Sequence, residues 1–532
     1  LTDKAYGARK NAALQVEKLV REYEKIPEKV THIVDTLVQE FVYSNDPFAR
    51  YGGLIGLAAT SIALGQGVSE YLDIIVPPIL TCFSNQDQKV RYYACESMYN
   101  IAKVAKGEVL RFFNSMFDAL CKLSADSEVS VKNGAELLDR LIKDIVSELA
   151  TTYESLYSES FNTSESGQEL PVPSSLPRNT AFSLPRFIPL LSQRIYVRNS
   201  ASRQFLVSWM CVLDSIPDLE LVSFLPEFLD GLIRCLNDAS EDVRTSTGEL
   251  LQDFLGEIKE AAAARQLKRQ NEFQKYTKDK KRESKQTDAA IATTTTTAAA
   301  TAAAAVDSGP TLEEKPTSPE TSQMSENNLQ DKQPQQIAKE SPSLAIEDDG
   351  IDPENKEHGK GTYVPGQGVE VQYAKIVEIL VSHLSSTEEE IQKTALSWIN
   401  AFIDIERDVI IQSTPLIIKE VLPCLAHSVN SIRMIALDTN QKLQKLVLEP
   451  SATPSFPEPT SSLSDPSGSP QQLRLTQKMT SNETGDPFDY QATVANLRLQ
   501  FLNQHEETRV ASLDWLLMLH KKAPNKASMR KI

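Results

Sequence analysis

A short pattern that returns every 41 residues constrains the fold of this chain more than any other feature of its sequence. In each copy an apolar residue precedes a basic or amide residue, and a small residue stands three positions further on. The copies begin at Ala49, Val90, Val131, Val197, Val243, Ile391, Ile432 and, more weakly, Thr508. The steps from 49 to 90, from 90 to 131 and from 391 to 432 are each 41 residues. Such internal repetition predicts an elongated array of similar units, not a set of independent globular domains.

Each copy opens an amphipathic segment and follows another that often contains proline, as in DIIVPPILTCF and IIKEVLPCLAH. Proline inside a helix removes a hydrogen bond and kinks the axis. A kinked first helix, a polar turn and a second helix within about 40–47 residues are typical of HEAT and armadillo repeats. We therefore predict an all-α fold, a HEAT/armadillo-like α-solenoid of two-helix repeats with long disordered insertions.

The longer steps between copies mark the insertions, whose Ser, Pro, Gln and Thr content cannot bury enough apolar surface to offset the entropy of ordering. The predicted order is N-terminal repeats at 1–149, a Ser/Pro-rich loop at 150–181, repeats at 182–262, a basic and then low-complexity disordered linker at 263–368, repeats at 369–449, a disordered linker at 450–487, and a helical region at 488–532 that we expect to be the start of a truncated carboxy-terminal region.

Charge and composition exclude several classes of protein. The 532 residues include 55 Lys and Arg against 72 Asp and Glu, a net charge of −17, which disfavours bulk binding to DNA or RNA. The six cysteines form no CxxC pair, so a disulfide framework or zinc module is not expected. The apolar stretch from Gly52 to Gly65 is shorter than the roughly 20 residues that cross a bilayer, so we expect no membrane span and no signal peptide.

No catalytic motif is apparent in the sequence. The six histidines are widely spaced, without HExxH, and no GxxxxGK[ST] phosphate loop occurs. We expect no catalytic residue, no cofactor and no metal, and therefore not an enzyme. A protein kinase or lipid phosphatase hidden in the array stays as the alternative from another class, and activity of the purified chain would reveal it.

The run Arg265–Lys285 carries nine Lys and Arg against three acidic residues. It has two interpretations: contact with an acidic partner or anionic lipid, where each basic residue contributes about 1 kcal/mol, or a solvated extension of a helix. The second interpretation is favoured here, since the run lacks the apolar stripe of an inserting helix.

The uninterrupted repeats from 49 to 149 contain the candidate protein-binding residues. Tyr92 and Tyr93 are candidate anchors because interfaces favour Tyr, Trp and Arg. In ELLDRLIKDIV, an inward apolar stripe leaves Asp139, Arg140, Lys143 and Asp144 as a charged ridge. The alternatives are that one tyrosine is a core residue and that the ridge is merely solvated.

These same segments resemble the HEAT-repeat scaffold family of the vacuolar phosphoinositide kinase–phosphatase complex. The resemblance rests on YGGLIGLAATSIALG at Tyr51–Gly65, VRYYACESMYNIAKVAKG at Val90–Gly107 and ELLDRLIKDIV at Glu136–Val146. The amino end ARKNAALQVEKLVREYEK and the late segment ETRVASLDWLLMLHKKAP also look like that family, in the same order.

The resemblance implies a non-catalytic platform, peripheral on the cytoplasmic face of vacuole, lysosome and endosome membranes. It would bind and activate a phosphatidylinositol 3-phosphate 5-kinase and hold a Sac-type phosphatase, so controlling phosphatidylinositol 3,5-bisphosphate. Kinase binding would fall at about 49–149, with the candidate contacts Arg91, Tyr92, Tyr93, Asp139, Arg140, Lys143 and Asp144. Phosphatase binding and self-association belong to the family's carboxy-terminal part, of which this chain holds only the start, from about Tyr490 to Ile532.

Composition and period alone also fit a HEAT-repeat adaptor of another class, such as a nuclear-transport or protein-phosphatase regulatory scaffold. A transport receptor would bind cargo and a small GTPase, whereas the predicted scaffold would restore vacuole size and bisphosphorylated lipid.

Overall fold

The computed structural model describes residues 1–154, 181–216, 219–300, 369–449 and 487–524. Within these ranges the structure is helical and contains no β-sheet. The α-helices in chain order are Tyr6–Tyr23 (α1), Pro27–Thr36 (α2), Pro47–Leu64 (α3), Leu72–Cys82 (α4), Gln88–Ala105 (α5), Phe113–Leu123 (α6), Val129–Leu149 (α7), Leu184–Arg194 (α8), Ser200–Asp214 (α9), Leu229–Arg234 (α10), Glu241–Ala300 (α11), Tyr373–His383 (α12), Glu389–Ile405 (α13), Arg407–Cys424 (α14), Asn430–Leu448 (α15), Tyr490–Gln500 (α16) and Glu506–Lys522 (α17).

From α2 onward, each even-numbered helix (the A helix) precedes an odd-numbered one (the B helix), and the described residues form eight such pairs. A helices stack on A helices, as α2 does on α4 and α4 on α6. B helices likewise stack on B helices, as α3 does on α5 and α5 on α7. Proline lies inside α4, α8 and α14, all of them A helices. The predicted all-α solenoid of HEAT/armadillo-like repeats is thus confirmed.

The apolar run Pro47–Cys82 is long and apolar enough to cross a bilayer by length and composition alone. In the structure it comprises α3, a 3₁₀ turn at Gly65–Tyr71 and α4, and 67% of its most apolar window is buried inside the repeats. Its small residues let helices approach closely: a Cβ added to Gly53 would lie 2.7 Å from the Cβ of Phe41. This run is therefore the core of the first repeats.

The arginine of the repeating pattern is a structural element. Its guanidinium donates to carbonyl oxygens five or six residues earlier, in the turn that precedes its own B helix. In α5, for example, Arg91 Nη1 lies 2.8 Å from the carbonyl oxygen of Asn85 and 3.1 Å from that of Gln86. The arginines with this contact are Arg9, Arg50, Arg91, Arg203, Arg244, Arg433 and Arg509.

These contacts correct the register of the repeats in two places. In the fourth repeat Arg203, not Arg198, reaches back to the turn, and Ser202 takes the position of the apolar residue. Ser202 can occupy this buried position because its hydroxyl donates to the carbonyl oxygen of Cys121. A pattern that requires an apolar residue before the arginine therefore does not detect this copy. An additional copy begins at Ala8, 41 residues before Ala49, and places α1 in the series of B helices.

The helix pair that follows the longest insertion stacks directly on the pair that precedes it. His383 Nε2 in α12 lies 2.9 Å from Asp230 Oδ1 in α10, and Gln372 Nε2 donates to the carbonyl oxygen of Ser223 at 3.3 Å. Burial lowers the pKa of His383, against the opposing effect of the Asp230 carboxylate, which favours the neutral ring at this joint. The insertion therefore does not interrupt the stack.

The chain divides into two compact units, the first formed by residues 1–264 and 365–532 and the second by residues 265–364. The described part of the second unit is the end of α11, from Arg265 to Ala300. The sequence predicted a disordered linker from 263, but α11 continues through 263–300 because alanine and long charged side chains are strong helix formers. The predicted disorder at 301–368 lies outside the described residues, as does most of the insertions at 150–181 and 450–487.

Candidate protein-binding surface

Arg91 lies at the junction between two repeats. Besides its contacts with the turn before α5, it makes a bidentate ion pair with Asp126 in the turn before α7, with N–O distances of 2.7 and 2.9 Å. The side chains are only 13% and 8% exposed. Burial alone would raise the pKa of Asp126, but hydrogen bonds from Arg91 and from the Glu128 N–H hold it below its usual value. Both groups are therefore engaged within the solenoid.

Tyr93 and Tyr92 point to different surroundings. The Tyr93 ring packs against Tyr6 and Tyr51 at centroid distances of 6.4 and 5.2 Å, and Arg9 Nη2 donates to its hydroxyl at 3.3 Å. Tyr92 is 37% exposed and rests over α7, with its ring 3.6 Å from the position of a Cβ on Gly134. One tyrosine of the pair is thus packed between helices and the other borders solvent.

The charged ridge of α7 divides into two halves. Lys143 Nζ lies 2.7 Å from Asp139 Oδ2 and donates to Ser208 Oγ at 2.8 Å, while Trp209 Nε1 donates to Asp139 Oδ1 at 2.7 Å. Burial raises the pKa of Asp139, opposed by the charge of Lys143. This half of the ridge joins α7 to α9.

The other half of the ridge is open to solvent. Arg140 is 69% exposed and its contact with Glu136 is a loose 3.5 Å, and Asp144 is also exposed. Leu137, three residues before Arg140, is 55% exposed and was not among the predicted contacts. Spacings of three and four residues place Leu137, Arg140 and Asp144 on one side of the helix. With Tyr92, they form what we call the α5–α7 patch.

The signal for Leu137 was present in the sequence, because the inward stripe of α7 takes Leu138, Ile142 and Ile145 and leaves Leu137 on another side of the helix. An exposed leucine, a tyrosine that borders solvent and an arginine together have the composition of an interface centre. Among the described residues no group of three His, Cys, Asp or Glu side chains could hold a metal ion.

Comparison with known proteins bears on the same repeats. Residues 48–144 match the family described as the vacuolar 14 Fab1-binding region. That range runs from α3 to α7 and contains all four residues of the α5–α7 patch. Among solved structures, a designed armadillo repeat protein aligns with 47% of this chain and 95% of its own length, at 8% identity and a TM-score of 0.26.

Two fungal relatives align with nearly the whole chain. The protein VAC14 homolog of Schizosaccharomyces pombe is 37% identical over 540 residues, covering 99% of this chain and 57% of the relative. The vacuole morphology and inheritance protein 14 of Saccharomyces cerevisiae is 37% identical over 544 residues, with the same coverage of 99% and 57%. The chain thus spans a little over half the length of these relatives. Over nearly its whole length it is similar to the VAC14 homologues.

Proposed function

We propose that this chain is a non-enzymatic scaffold that binds and activates a phosphatidylinositol 3-phosphate 5-kinase through the α5–α7 patch. The observation that carries the proposal is the match of residues 48–144 to a Fab1-binding region. The name of the Saccharomyces cerevisiae relative, which refers to the vacuole, favours the cytoplasmic face of vacuole and endosome membranes as the place of action.

The build of these repeats supports a docking role. α3, α5 and α7 stack without an insertion between them, and the Arg91–Asp126 pair joins two of the repeats. A rigid support keeps interface side chains in place before the partner arrives, so little entropy is lost on binding. Tyr92 and Leu137 supply apolar contact area at the centre, and Arg140 and Asp144 supply a charged rim.

In this proposal Arg91, Tyr93, Asp139 and Lys143 position the patch, because their polar groups are bonded inside the solenoid. The exposed members contact the kinase. The scaffold contributes no reacting group, so the transfer of phosphate to the lipid is carried out by the bound kinase alone.

The substitution Leu137→Glu tests the patch, since it places a charge at an apolar contact without disturbing buried residues. We expect capture of the kinase by the purified chain to fall by more than about tenfold, the effect of losing one central anchor. The matched control is Leu437→Glu, another leucine on the exposed side of a B helix, 43% exposed on α15. The assignment is contradicted if both variants lose kinase capture equally, or if neither variant loses it.

The alternative that the chain is itself a kinase or a lipid phosphatase is tested by assaying the purified chain alone. The purified chain without the kinase should neither phosphorylate nor dephosphorylate phosphoinositide vesicles. Turnover that persists through purification and is lost when the chain is removed by an antibody would contradict the scaffold proposal.

The family resemblance implies two further partners, and we assign neither of them a binding surface on the described residues. They are a Sac-type phosphatase and a second copy of the chain. Co-purification with the phosphatase and the molar mass of the chain in solution test them separately from kinase capture.

A further inference from the structure

We propose that the part of α11 from Arg265 to Lys285 docks on anionic lipid bilayers. This surface lies in a different stretch of the chain from the α5–α7 patch, and its role does not depend on kinase binding. Three observations carry the proposal: the exposure of residues Gln266–Asn271, the distribution of charge along the chain, and apolar side chains among the basic ones.

The first observation is that α11 changes character along its length. Its first part is a packed B helix, with Leu250, Phe254 and Ile258 fully buried. From Gln266 to Asn271 every residue is exposed. A helix that continues well beyond its packed segment presents its side chains to another surface or to solvent only.

The second observation is the separation of charge. The run Arg265–Lys285 has nine bases and three acids, a net charge of +6. Taking these from the totals of 55 and 72 leaves 46 bases against 69 acids, a net charge of −23 for the rest of the chain. An anionic membrane repels most of the chain and attracts this helix, so the helix both binds and orients the chain.

The third observation is the presence of large apolar side chains within the basic run. Leu267 is 55% exposed and Phe273 is 47% exposed. A solvated spacer gains nothing from such residues, whereas the headgroup region of a bilayer accepts both lysine and aromatic side chains.

A lipid surface fits these features better than an acidic protein or RNA. The nine bases are spread over about 30 Å of helix, at 1.5 Å per residue. An anionic bilayer presents a continuous negative surface charge, so the spacing of the basic residues does not have to match that of the lipid headgroups. A folded acidic partner has carboxylates at fixed positions that would have to match. RNA binding relies on stacking aromatics or base contacts, and the run holds only Phe273 and Tyr276.

The experiment is flotation of the full chain with vesicles of phosphatidylcholine and phosphatidylserine, compared with vesicles of phosphatidylcholine alone. We expect flotation only with the anionic vesicles at about 0.1 M salt, and its loss at about 1 M salt, where the screening length falls to about 3 Å. Flotation that is absent, or equal on neutral vesicles, overturns the proposal.

Two variants of equal charge change locate the contact. In the first, Lys268, Arg269, Lys275, Lys278 and Lys280 are replaced by glutamine, which should weaken partitioning by at least about 100-fold, since each base contributes about fivefold. In the second, glutamine replaces the exposed lysines Lys10, Lys18, Lys89, Lys103 and Lys132, and flotation should persist.

Equal loss in the two variants overturns the proposal, because it would reflect total charge and not this helix. The proposal is also overturned if the chain does not bind the vesicles but binds an acidic peptide or RNA through the same lysines. Circular dichroism of both variants verifies that each remains folded.

Discussion

At the scale of single residues, Arg91 connects two successive turns of the solenoid. It holds the turn before α5 through two backbone carbonyl groups and the turn before α7 through Asp126. Interface arginines and junction arginines look the same in a sequence, since both stand among apolar residues. Only the position of the next turn determines which role the side chain takes.

We expect Arg91→Ala to lower the free energy of unfolding by about 3 kcal/mol, because it leaves the largely buried Asp126 carboxylate without its partner. The control is Arg140→Ala, whose exposed pair with Glu136 should be worth less than about 0.5 kcal/mol. Denaturant melts followed by circular dichroism measure both. Similar midpoints for the two variants would refute the structural role of Arg91.

The candidate site was only partly predictable at this scale. The sequence predicts Tyr92, Arg140 and Asp144 as candidate contacts, and the structure leaves them exposed. It could not separate them from Asp139 and Lys143, because the partner of that pair, Trp209, is about 70 residues away in the chain. Leu137 was not among the predicted contacts, although it lies outside the inward stripe of its helix.

At the scale of helices, the junction between α9 and α11 holds an acidic pair. Burial, followed by the charge of Glu257, raises the pKa of Asp214 to about 8. The same junction includes Asp253, whose charge acts in the same direction. The native state therefore keeps a proton that the unfolded chain releases near pH 4.

This pair makes stability depend on pH. Because the native state binds more protons, the free energy of unfolding falls as the pH rises from about 4 to about 8. We expect Asp214→Asn to raise it by about 1–2 kcal/mol at pH 8 and to have little effect at pH 4. The control is Asp144→Asn, on an exposed carboxylate. Thermal melts at several pH values measure the difference, and a gain that is the same at every pH contradicts this account.

At the scale of the whole molecule, the insertions leave the stack continuous. α12 rests on the helix pair before the insertion through the His383–Asp230 contact, and α13 contacts the same pair. A solenoid is stabilised by contacts between neighbouring repeats, so the chain length between two neighbours matters little. Loop closure costs only about 0.6 kcal/mol for each doubling of length.

We expect deletion of residues 301–340 to leave the thermal melting of the solenoid unchanged or slightly higher, because residues 341–368 still connect α11 to α12 and the repeats on each side keep their shared interface. Leu380→Asp is the destabilising control, since that side chain is fully buried in α12. A separate early transition in the deletion variant, which would report detached later repeats, refutes the continuous stack.

The sequence by itself determined the fold class, the period and most of the helices, because helix formation and the apolar stripe depend on residues three and four positions apart. It also indicated the family resemblance for the same reason, since the matching segments are contiguous. Only the tertiary structure decided the register of the fourth repeat, the place of α1 among the B helices and the division of polar residues between junction and surface. Those depend on which helix lies beside which, and the insertions separate such neighbours by distances along the chain that local patterns do not encode.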